Sequence, residues 1–302
     1  MDTVKKTTAG ALLALALGSG GAQAATLSVQ ESLGTFNLVT QAYSGNQEVE
    51  GRTYVGSTLS GVTGQFGFAA PADGAGYAEL SVNGDVVNST INLQTGDTAQ
   101  ISGALVNATV NNGAAVTGAS GLPEFDFAAF LAESQALAAY DNTTGTNLSD
   151  MNNKKFGGAS VVNATLADLA SGGYSFDYSH GGTVIVNVSG TIGSFGMNPL
   201  GGATDDAPNV LWNFYEATSI SVNSVIEGHI LAPLATMSGF NGSTEGSVIA
   251  AAVNLTNGEL HQTAWSGTIP VIENYAPVPL PASGLLLIGA IGALVMRRKT
   301  RA

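Results

Sequence analysis

Short apolar runs alternate with glycine and small polar residues along most of the chain, and three of these runs share one pattern. Each begins with a Glu-Gly step, continues with a short β-branched or apolar run and small residues, and ends in a second short run. The three copies begin at Glu50, Glu227 and Glu245, and a weaker copy begins at Ser102. The interval from Glu227 to Glu245 is close to the roughly 20 residues that one coil of a parallel β-solenoid takes.

The repeated Glu-Gly step therefore predicts a mostly β chain, folded as a parallel β-solenoid (β-helix). Glycine at a fixed place lets the backbone take a positive φ at a corner or approach the next coil closely. We expect Glu50-Gly51, Glu227-Gly228 and Glu245-Gly246 to occupy equivalent corners, with Gly228 and Gly246 stacked on adjacent coils. An antiparallel sandwich, which also combines short strands with glycine turns, is the alternative.

One segment, residues 124–140, breaks the β pattern. It is rich in helix-forming residues, follows Pro123, and carries acids in its first turn, all of which favour the start of a helix. Its apolar residues recur at helical spacing and form one stripe. We predict one α-helix packed along the flank of the solenoid, with an inward set of Phe127, Phe130, Leu131 and Leu137.

The N-terminal segment has the layout of a secretory signal. A basic start, an apolar run and a small-x-small cleavage site follow one another: Lys5 and Lys6, residues 9–17, then Ala22 and Ala24 before Ala25. The apolar run is too short for a transmembrane helix. Residues 1–24 are therefore predicted to be a signal peptide, exported by the Sec machinery and removed by signal peptidase.

The C-terminal segment has three parts. These are the motif Val278, Pro279, Leu280, Pro281 and Ala282, an uncharged run over residues 282–296, and the basic residues Arg297, Arg298, Lys299 and Arg301. An apolar run before a basic end is typical of a segment held in a membrane with its basic end in the cytoplasm. As a helix the run spans about 22 Å, short of the hydrocarbon core. We predict a marginal transmembrane helix in a tag over residues 277–302, with the mature domain at 25–276.

This tag resembles the PEP-CTERM class of bacterial sorting signals, and Val278–Ala282 is similar to its VPLPA variant. The resemblance covers residues 278–301. It implies that an exosortase recognises the tag and cleaves near the Pro-Leu-Pro element. The implied location is a membrane-tethered precursor, followed by the cell surface or extracellular matrix. A plain C-terminal membrane helix is the alternative.

The middle of the chain resembles the choice-of-anchor A domain. The resemblance rests on five sequence segments and on the predicted helix at 124–140. The segments are Val210–Thr218, Val225–Pro233, Glu245–Ala250, Phe36–Leu38 and Glu48–Arg52. That family resembles ice-binding-like adhesive domains, which implies a β-solenoid with an α-helix alongside. Two segments differ from the family pattern. Leu234 stands where the family pattern has Asn after Ala-Pro, and Val55-Gly56-Ser57 replaces a segment richer in glycine. The resemblance implies no catalytic residues.

Charge narrows the range of partners. Between the two tags the only cations are Arg52, Lys154 and Lys155, and 21 of the 22 acids lie there, giving a net charge of 3 − 21 = −18. Such a surface repels nucleic acid and anionic lipid, and weak Ca²⁺ binding is compatible with it. The chain has no cysteine, so its stability does not rest on disulfides.

Residues that could carry chemistry are sparse. The histidines His180, His229 and His261 have no ligand-like spacing, and we expect His229 and His261 at the surface. Asp205-Asp206, the one adjacent acid pair, lies in a Gly-rich loop and is interpreted as a solvated turn rather than a Ca²⁺ or sugar-cleaving site. We predict no cofactor.

The aromatic and threonine residues leave the ligand open. Trp212, Phe214 and Tyr215 either fill the solenoid interior and the helix contact or form a platform for sugar. No regular Thr-x-Thr ladder at the coil period supports an ice-binding face. We predict a non-enzymatic adhesive or structural protein, with surface polysaccharide as a candidate partner. The alternative is a polysaccharide-active enzyme or carbohydrate-binding protein on the same β-helix scaffold.

Overall fold

The computed structural model describes residues 26–71, 75–141, 148–157, 161–177, 182–200 and 207–270. The predicted signal peptide and sorting tag lie outside these residues. Within the described ranges, no helix is long and apolar enough to cross a membrane. Residues up to Gly267 belong to one compact unit, and Thr268 begins a second one.

Short strands are the main regular element of the described chain. In chain order they are β1 Leu38–Gly45, β2 Glu48–Val49, β3 Thr53–Val55, β4 Leu59–Ser60, β5 Thr63–Phe66, β6 Leu80–Val82, β7 Val86–Val87, β8 Thr90–Asn92, β9 Thr98–Ile101, β10 Leu105–Val106, β11 Thr109–Asn111, β12 Ala114–Thr117, β13 Lys154–Gly157, β14 Val161–Thr165, β15 Gly172–Asp177, β16 Val184–Ser189, β17 Ile192–Phe195, β18 Met197–Pro199, β19 Val210–Asn213, β20 Ser219–Val222, β21 Ile226–Glu227, β22 His229–Gly239, β23 Thr244–Glu245, β24 Val248–Leu255 and β25 Leu260–His261. Three helices accompany them: α1 Val29–Thr35, α2 Phe127–Leu137 and α3 Leu166–Leu169.

Every strand pair in the described residues is parallel, so the chain is β-helix-like and the antiparallel sandwich is excluded. The strands stack on three faces. The first face runs β12-β9-β6-β3-β1-β24-β22-β19-β16-β14. The second contains β17, β20, the C-terminal halves of β22, β24 and β1, and the sheet β4-β7-β10. The third contains β11-β8-β5-β2-β25-β23-β21 and β13-β15-β18.

The order of the coils differs from the order of the chain. The N-terminal half begins in the middle of the stack at β1 and proceeds outward to β12. After α2 the chain resumes at the opposite end with β14 and returns to β24, which pairs with β1 through Leu38 and Val248. Pairing between residues this far apart in sequence raises the contact order, which slows folding.

The Glu-Gly steps occupy equivalent corners, as predicted. Ile226 pairs with Thr244, Thr244 with Leu260, and Leu260 with Val49. Each of these residues is followed by one at the corner, so Glu227, Glu245, His261 and Glu50 are neighbours on successive coils. Gly228 is likewise next to Gly246. A Cβ on Gly246 would lie 2.6 Å from the Gly228 carbonyl oxygen, so this corner has no room for a side chain. The weaker copy at Ser102 lies at a different corner, between β9 and β10.

The predicted helix exists but is shorter than residues 124–140. It begins at Phe127 because the Asp126 side chain caps it, accepting hydrogen bonds from the N–H groups of Ala128 and Ala129. Phe130 and Leu137 are buried as predicted. Phe127 and Leu131 are only half-buried, because the buried stripe passes through Ser134 instead. The expectation of a single helix is also incomplete, since α1 and α3 are present.

Candidate functional site

Most of the predicted site residues lie either outside the described chain or inside the core. The sorting motif, the signal cleavage site, His180 and Asp205-Asp206 are outside the described residues. Trp212 and Phe214 are fully buried, which confirms the interior interpretation and removes them as a sugar platform. Tyr215 is half-buried.

The expectation that His229 lies at the surface is wrong. Its ring is fully buried, Nδ1 accepts a hydrogen bond from the Ser247 N–H at 3.0 Å, and the Trp265 ring packs on it edge to face at 5.1 Å. Burial lowers the pKa of His229 to about 3, because the charged imidazolium would lose its solvation. His229 is therefore a neutral packing residue. His261, at β25, is partly exposed as expected.

The third face carries two columns of uncharged polar side chains on consecutive coils. Thr63 pairs with Thr90 and Thr90 with Thr109, while two residues later Gln65 pairs with Asn92 and Asn92 with Asn111. The residues between these columns, Gly64, Ile91 and Val110, point inward because side chains alternate across a strand. We call the six outward residues the hydroxyl–amide array: Thr63, Gln65, Thr90, Asn92, Thr109 and Asn111.

Hydrogen bonds along the columns hold the amides in place. Asn111 Nδ2 donates to Asn92 Oδ1 at 2.9 Å, and Asn92 Nδ2 donates to the Gly64 carbonyl at 3.4 Å. Each amide retains further donors and acceptors for a ligand, since an amide has two N–H groups and two lone pairs. The array is therefore a flat and partly preordered hydrogen-bonding surface.

An open depression of about 610 Å³ lies where β5, β8 and β11 end. Its lining residues are Phe68, Leu93, Gln94, Thr95 and Asn112. Phe68 is half-buried, and its carbonyl accepts a hydrogen bond from the Gln94 side chain. An apolar ring next to amides and hydroxyls is the combination that binds ligands with both apolar and polar surfaces, including sugars.

Further along the same face lies a row of ionisable residues at the Glu-Gly corner. In coil order the carboxylate–histidine row is Glu227, Glu245, His261 and Glu50. His261 Nδ1 is 2.8 Å from Glu245 Oε1, and its Nε2 is 3.4 Å from Glu259 Oε2. Glu50 Oε2 accepts a hydrogen bond from the Gln262 N–H at 2.8 Å. Glu227 is only 1 % exposed, and its Oε2 has no hydrogen-bond partner in the described part of the chain.

The surroundings of the row raise the pKa values of Glu227, His261 and the neighbouring Glu48. Burial, followed by the charge of Glu245, raises the pKa of Glu227 to about 7. Burial alone would lower the pKa of His261, but the charge of Glu245 and the hydrogen bonds to Glu245 and Glu259 raise it. Burial and the charges of Glu259 and Glu50 raise the pKa of Glu48. Glu227, His261 and Glu48 therefore hold their protons more tightly than free carboxyl and imidazole groups do.

The described surface contains neither a cluster of metal-ligating side chains nor much positive charge. Within the described ranges, no three acidic, histidine or cysteine side chains are arranged to hold a metal ion, so weak Ca²⁺ binding stays a prediction without a site. The described cations are Arg52 and Lys154, which are buried, and Lys155, which is exposed. Lys154 Nζ donates to the Ser171 carbonyl at 2.9 Å. The described exterior is consequently almost devoid of positive charge.

The hydroxyl–amide array was missed in the sequence, although a signal for it is present. Thr-Gly-Gln, Thr-Ile-Asn and Thr-Val-Asn begin at Thr63, Thr90 and Thr109, at unequal intervals. The unequal spacing hides the repeat, because the chain between Phe66 and Leu80 is longer than the corresponding turns of the next coil. The array is a Thr-x-amide ladder, which differs from the Thr-x-Thr pattern expected of an ice-binding face.

The parallel coils and this polar face define a β-helix-like domain with an exposed flat surface. Residues 29–262 match the family described as "Putative Ice-binding-like adhesive domain", and the chain belongs to that family. This confirms the resemblance to ice-binding-like adhesive domains. Membership is consistent with a non-enzymatic protein of the cell surface or extracellular space.

The chain also aligns with a solved structure. It is the ice-binding protein of the Antarctic ascomycete Antarctomyces psychrotrophicus, 14 % identical in sequence, with a TM-score of 0.31. The match covers 78 % of this chain and 98 % of that one. A search of curated proteins gave no match.

Proposed function

We propose that this chain is a non-enzymatic adhesive protein that holds a neutral polysaccharide against the hydroxyl–amide array. The observation that carries the proposal is the array itself, six uncharged hydroxyl and amide side chains in register beside the half-buried ring of Phe68. A neutral sugar chain offers hydroxyl groups for the amides and an apolar ring face for Phe68. Repetition over three coils supplies several weak contacts at once.

Charge supports a neutral rather than an anionic ligand. Glu48 is next to Gln65 in the same column, and the carboxylate–histidine row follows on the adjacent coils. A polymer lying along this face meets the partly exposed carboxylates of Glu48, Glu50 and Glu245 beyond the end of the array. An anionic polymer would be repelled there, whereas a neutral one would not.

The alternative, a polysaccharide-active enzyme, needs two carboxyl groups that reach the substrate. Glu227 and Glu245 are neighbours on adjacent coils, and the raised pKa of Glu227 suits a general acid. However, Glu227 is buried, and Glu245 is hydrogen-bonded to His261. The location of Glu227 in the interior favours the adhesive function, because a general acid has to contact the bond that it protonates.

A binding experiment separates the array from the rest of the surface. We expect the full chain to co-sediment with an insoluble neutral glucan but not with an anionic polysaccharide. Thr109→Glu and Phe68→Ala should each reduce binding to the glucan. Thr236→Glu, an exposed threonine on the second face, is the matched control and should bind as the parent does. Equal binding by the parent and all three variants would contradict the proposal. Release of reducing ends from the glucan would support the enzymatic alternative instead.

We also propose that the chain is exported and sorted through its two tags. Residues 1–24 direct it to the Sec machinery and signal peptidase. An exosortase then recognises Val278–Ala282 while residues 282–296 and the basic residues Arg297–Arg301 hold the precursor in the membrane. Export is consistent with an adhesive domain.

The sorting proposal is tested in the native host. Proline at 279 and 281 limits the membrane helix to the residues that follow, which leaves the motif extended outside the bilayer. Replacing both prolines with alanine should let the helix continue through the motif and slow cleavage, as measured by the mass of the mature protein. Processing at the parent rate would show that the segment is only an anchor.

A further inference from the structure

The last coil of the N-terminal half forms an open end of the β-helix. Its three strands, β10, β11 and β12, pair with β7, β8 and β9 on one side, and no described strand pairs with them on the other. We call residues 104–118 the open end. Each side chain in this coil is exposed or half-exposed, whereas Ile91, Ala99 and Ile101 of the preceding coil are fully buried.

The backbone of the open end has unused hydrogen-bonding groups. The Thr109 N–H donates to Ser89, and the Asn111 carbonyl accepts from Leu93. Because alternate residues of a parallel strand bond to opposite neighbours, the N–H and C=O of Val110 face away from the stack. The Ala114 N–H likewise donates to Asp97, so the backbone groups of Ala115 face outward. This edge can accept another strand.

The apolar core also ends here, and no described strand or helix covers it. Leu105, Ala108 and Val110 pack on the core but remain half-exposed. Val106 and Val116 are 48 % and 46 % exposed. Stacked-coil proteins generally need a polar cap at each end for solubility. This end lacks the charges and prolines that usually protect strand edges.

Charge identifies the partner. Residues 104–118 contain no ionisable side chain, although the chain has a net charge of −13. When two copies meet at this end, no carboxylates of residues 104–118 approach one another. Contact through the third face would instead bring the glutamates of the carboxylate–histidine row of both copies together. At the opposite end, α3 packs against β14 and β17 and carries Asp168. That end is therefore a poor match for the uncharged one, which disfavours a head-to-tail filament.

We propose that two copies of this chain associate end to end through residues 104–118. A two-fold axis perpendicular to the stack reverses strand direction, so strands of the two copies pair antiparallel across the junction. The junction covers the half-exposed Leu105 and Val110 of both copies and satisfies their outward backbone groups. The interface is isologous and closed, so assembly stops at the dimer.

Chemical cross-linking tests the dimer without disturbing the fold, because the chain has no cysteine of its own. Thr109→Cys places a single thiol on the open end, and Ala128→Cys places one on an exposed position of α2. We expect a short bismaleimide to join two full-length Thr109→Cys chains, giving twice the mass of one chain. The Ala128→Cys chain should remain a monomer. Equal yields from the two variants would overturn the proposal, as would a product of any other mass.

A charge at the open end provides the second test. Adding Ala115→Glu to the Thr109→Cys chain buries two like charges in the junction, so the cross-linked fraction should fall at least about tenfold. Ala128→Glu, added to the same chain, is the matched control and should leave the fraction unchanged. If Ala115→Glu does not fold, Thr117→Glu at another exposed position of the open end replaces it. A cross-linked fraction that is insensitive to a folded charge variant would overturn the proposal.

Discussion

Asn213 of β19 and Ser134 of α2 form a reciprocal pair of buried hydrogen bonds. Asn213 Nδ2 donates to the Ser134 carbonyl at 2.8 Å, and Ser134 Oγ donates back to Asn213 Oδ1 at 2.5 Å. The same contact recurs along the helix axis. Asn187, one coil further, donates to the Leu137 carbonyl at 2.8 Å, and Asn163, on the next coil, donates to the Tyr140 carbonyl at 3.4 Å.

Asn213, Asn187 and Asn163 form an asparagine ladder along α2. The ladder is possible because the rise of the helix matches the distance between neighbouring strands. Three residues of α-helix rise about 4.5 Å, and neighbouring strands are about 4.8 Å apart. The carbonyl groups of Ser134, Leu137 and Tyr140 therefore lie opposite asparagines on successive coils. The asparagines also bond to one another, with Asn213 Nδ2 at 2.8 Å from Asn187 Oδ1. The ladder thus fixes both the register and the direction of α2 on the first face.

Ser134→Ala should destabilise the chain by about 1–3 kcal/mol, because it removes a donor from a buried amide oxygen. The measurement is the free energy of unfolding in denaturant. Gln135→Ala, at the exposed neighbouring position, is the control and should change the free energy of unfolding little. If the two variants unfold alike, the ladder does not hold the helix.

Phe130→Ala should cost about 3–5 kcal/mol, since it leaves a cavity where a fully packed ring was. The Phe130 ring contacts Phe127 and Phe125 at 5.5 and 6.1 Å, and Phe125 in turn contacts Tyr54 of β3. The melting temperature should therefore fall clearly. Phe127→Ala, at a half-buried position, should cost less, and a larger loss from Phe127→Ala would contradict the observed stripe.

Gly246→Ala should be strongly destabilising, by more than the roughly 1 kcal/mol of an ordinary glycine effect. Its φ is +155°, and the new methyl group would meet the Gly228 backbone rather than a movable side chain. Gly34→Ala, in α1 with no atom within 4 Å of the added Cβ, is the control and should be neutral or stabilising. Comparable thermal stability of the two variants would show that the corner has more space.

Glu227→Gln should stabilise the chain at pH 8 and have little effect below about pH 4.5. At low pH the carboxyl is protonated in both the folded and unfolded chains. As the pH rises from 4.5 to about 7, only the unfolded chain loses the proton readily, so the parent loses stability that the variant keeps. The difference should be about 1–3 kcal/mol. Glu124→Gln, at an exposed position, is the control, and a pH-independent difference for Glu227→Gln would contradict the raised pKa.

The Glu-Gly repeat in the sequence predicted local geometry but not the order in which the coils stack. The stacking of Gly228 on Gly246 follows from the interval between the two Glu-Gly steps, because a corner glycine and the strand after it are local features. The pairing of Thr63 with Thr90 could not be found in this way, since the chain between β5 and β6 adds residues to that coil. The predicted stripe of α2 omitted Ser134, a polar residue that can be buried because Asn213 Oδ1 accepts the hydrogen bond of its hydroxyl group.

The parallel, short-stranded character of the domain, the Glu-Gly corners and the existence of α2 could all be predicted from the sequence. These depend on glycine conformation, β-branched runs and helical spacing, all of which act over short stretches of chain. Three features became visible only in the folded chain: the pairing of β24 with β1, the burial of His229, and the surface shared by three threonines and three amides. These depend on which coils become neighbours, and that is settled by burying the apolar core and by pairing strands from distant parts of the chain.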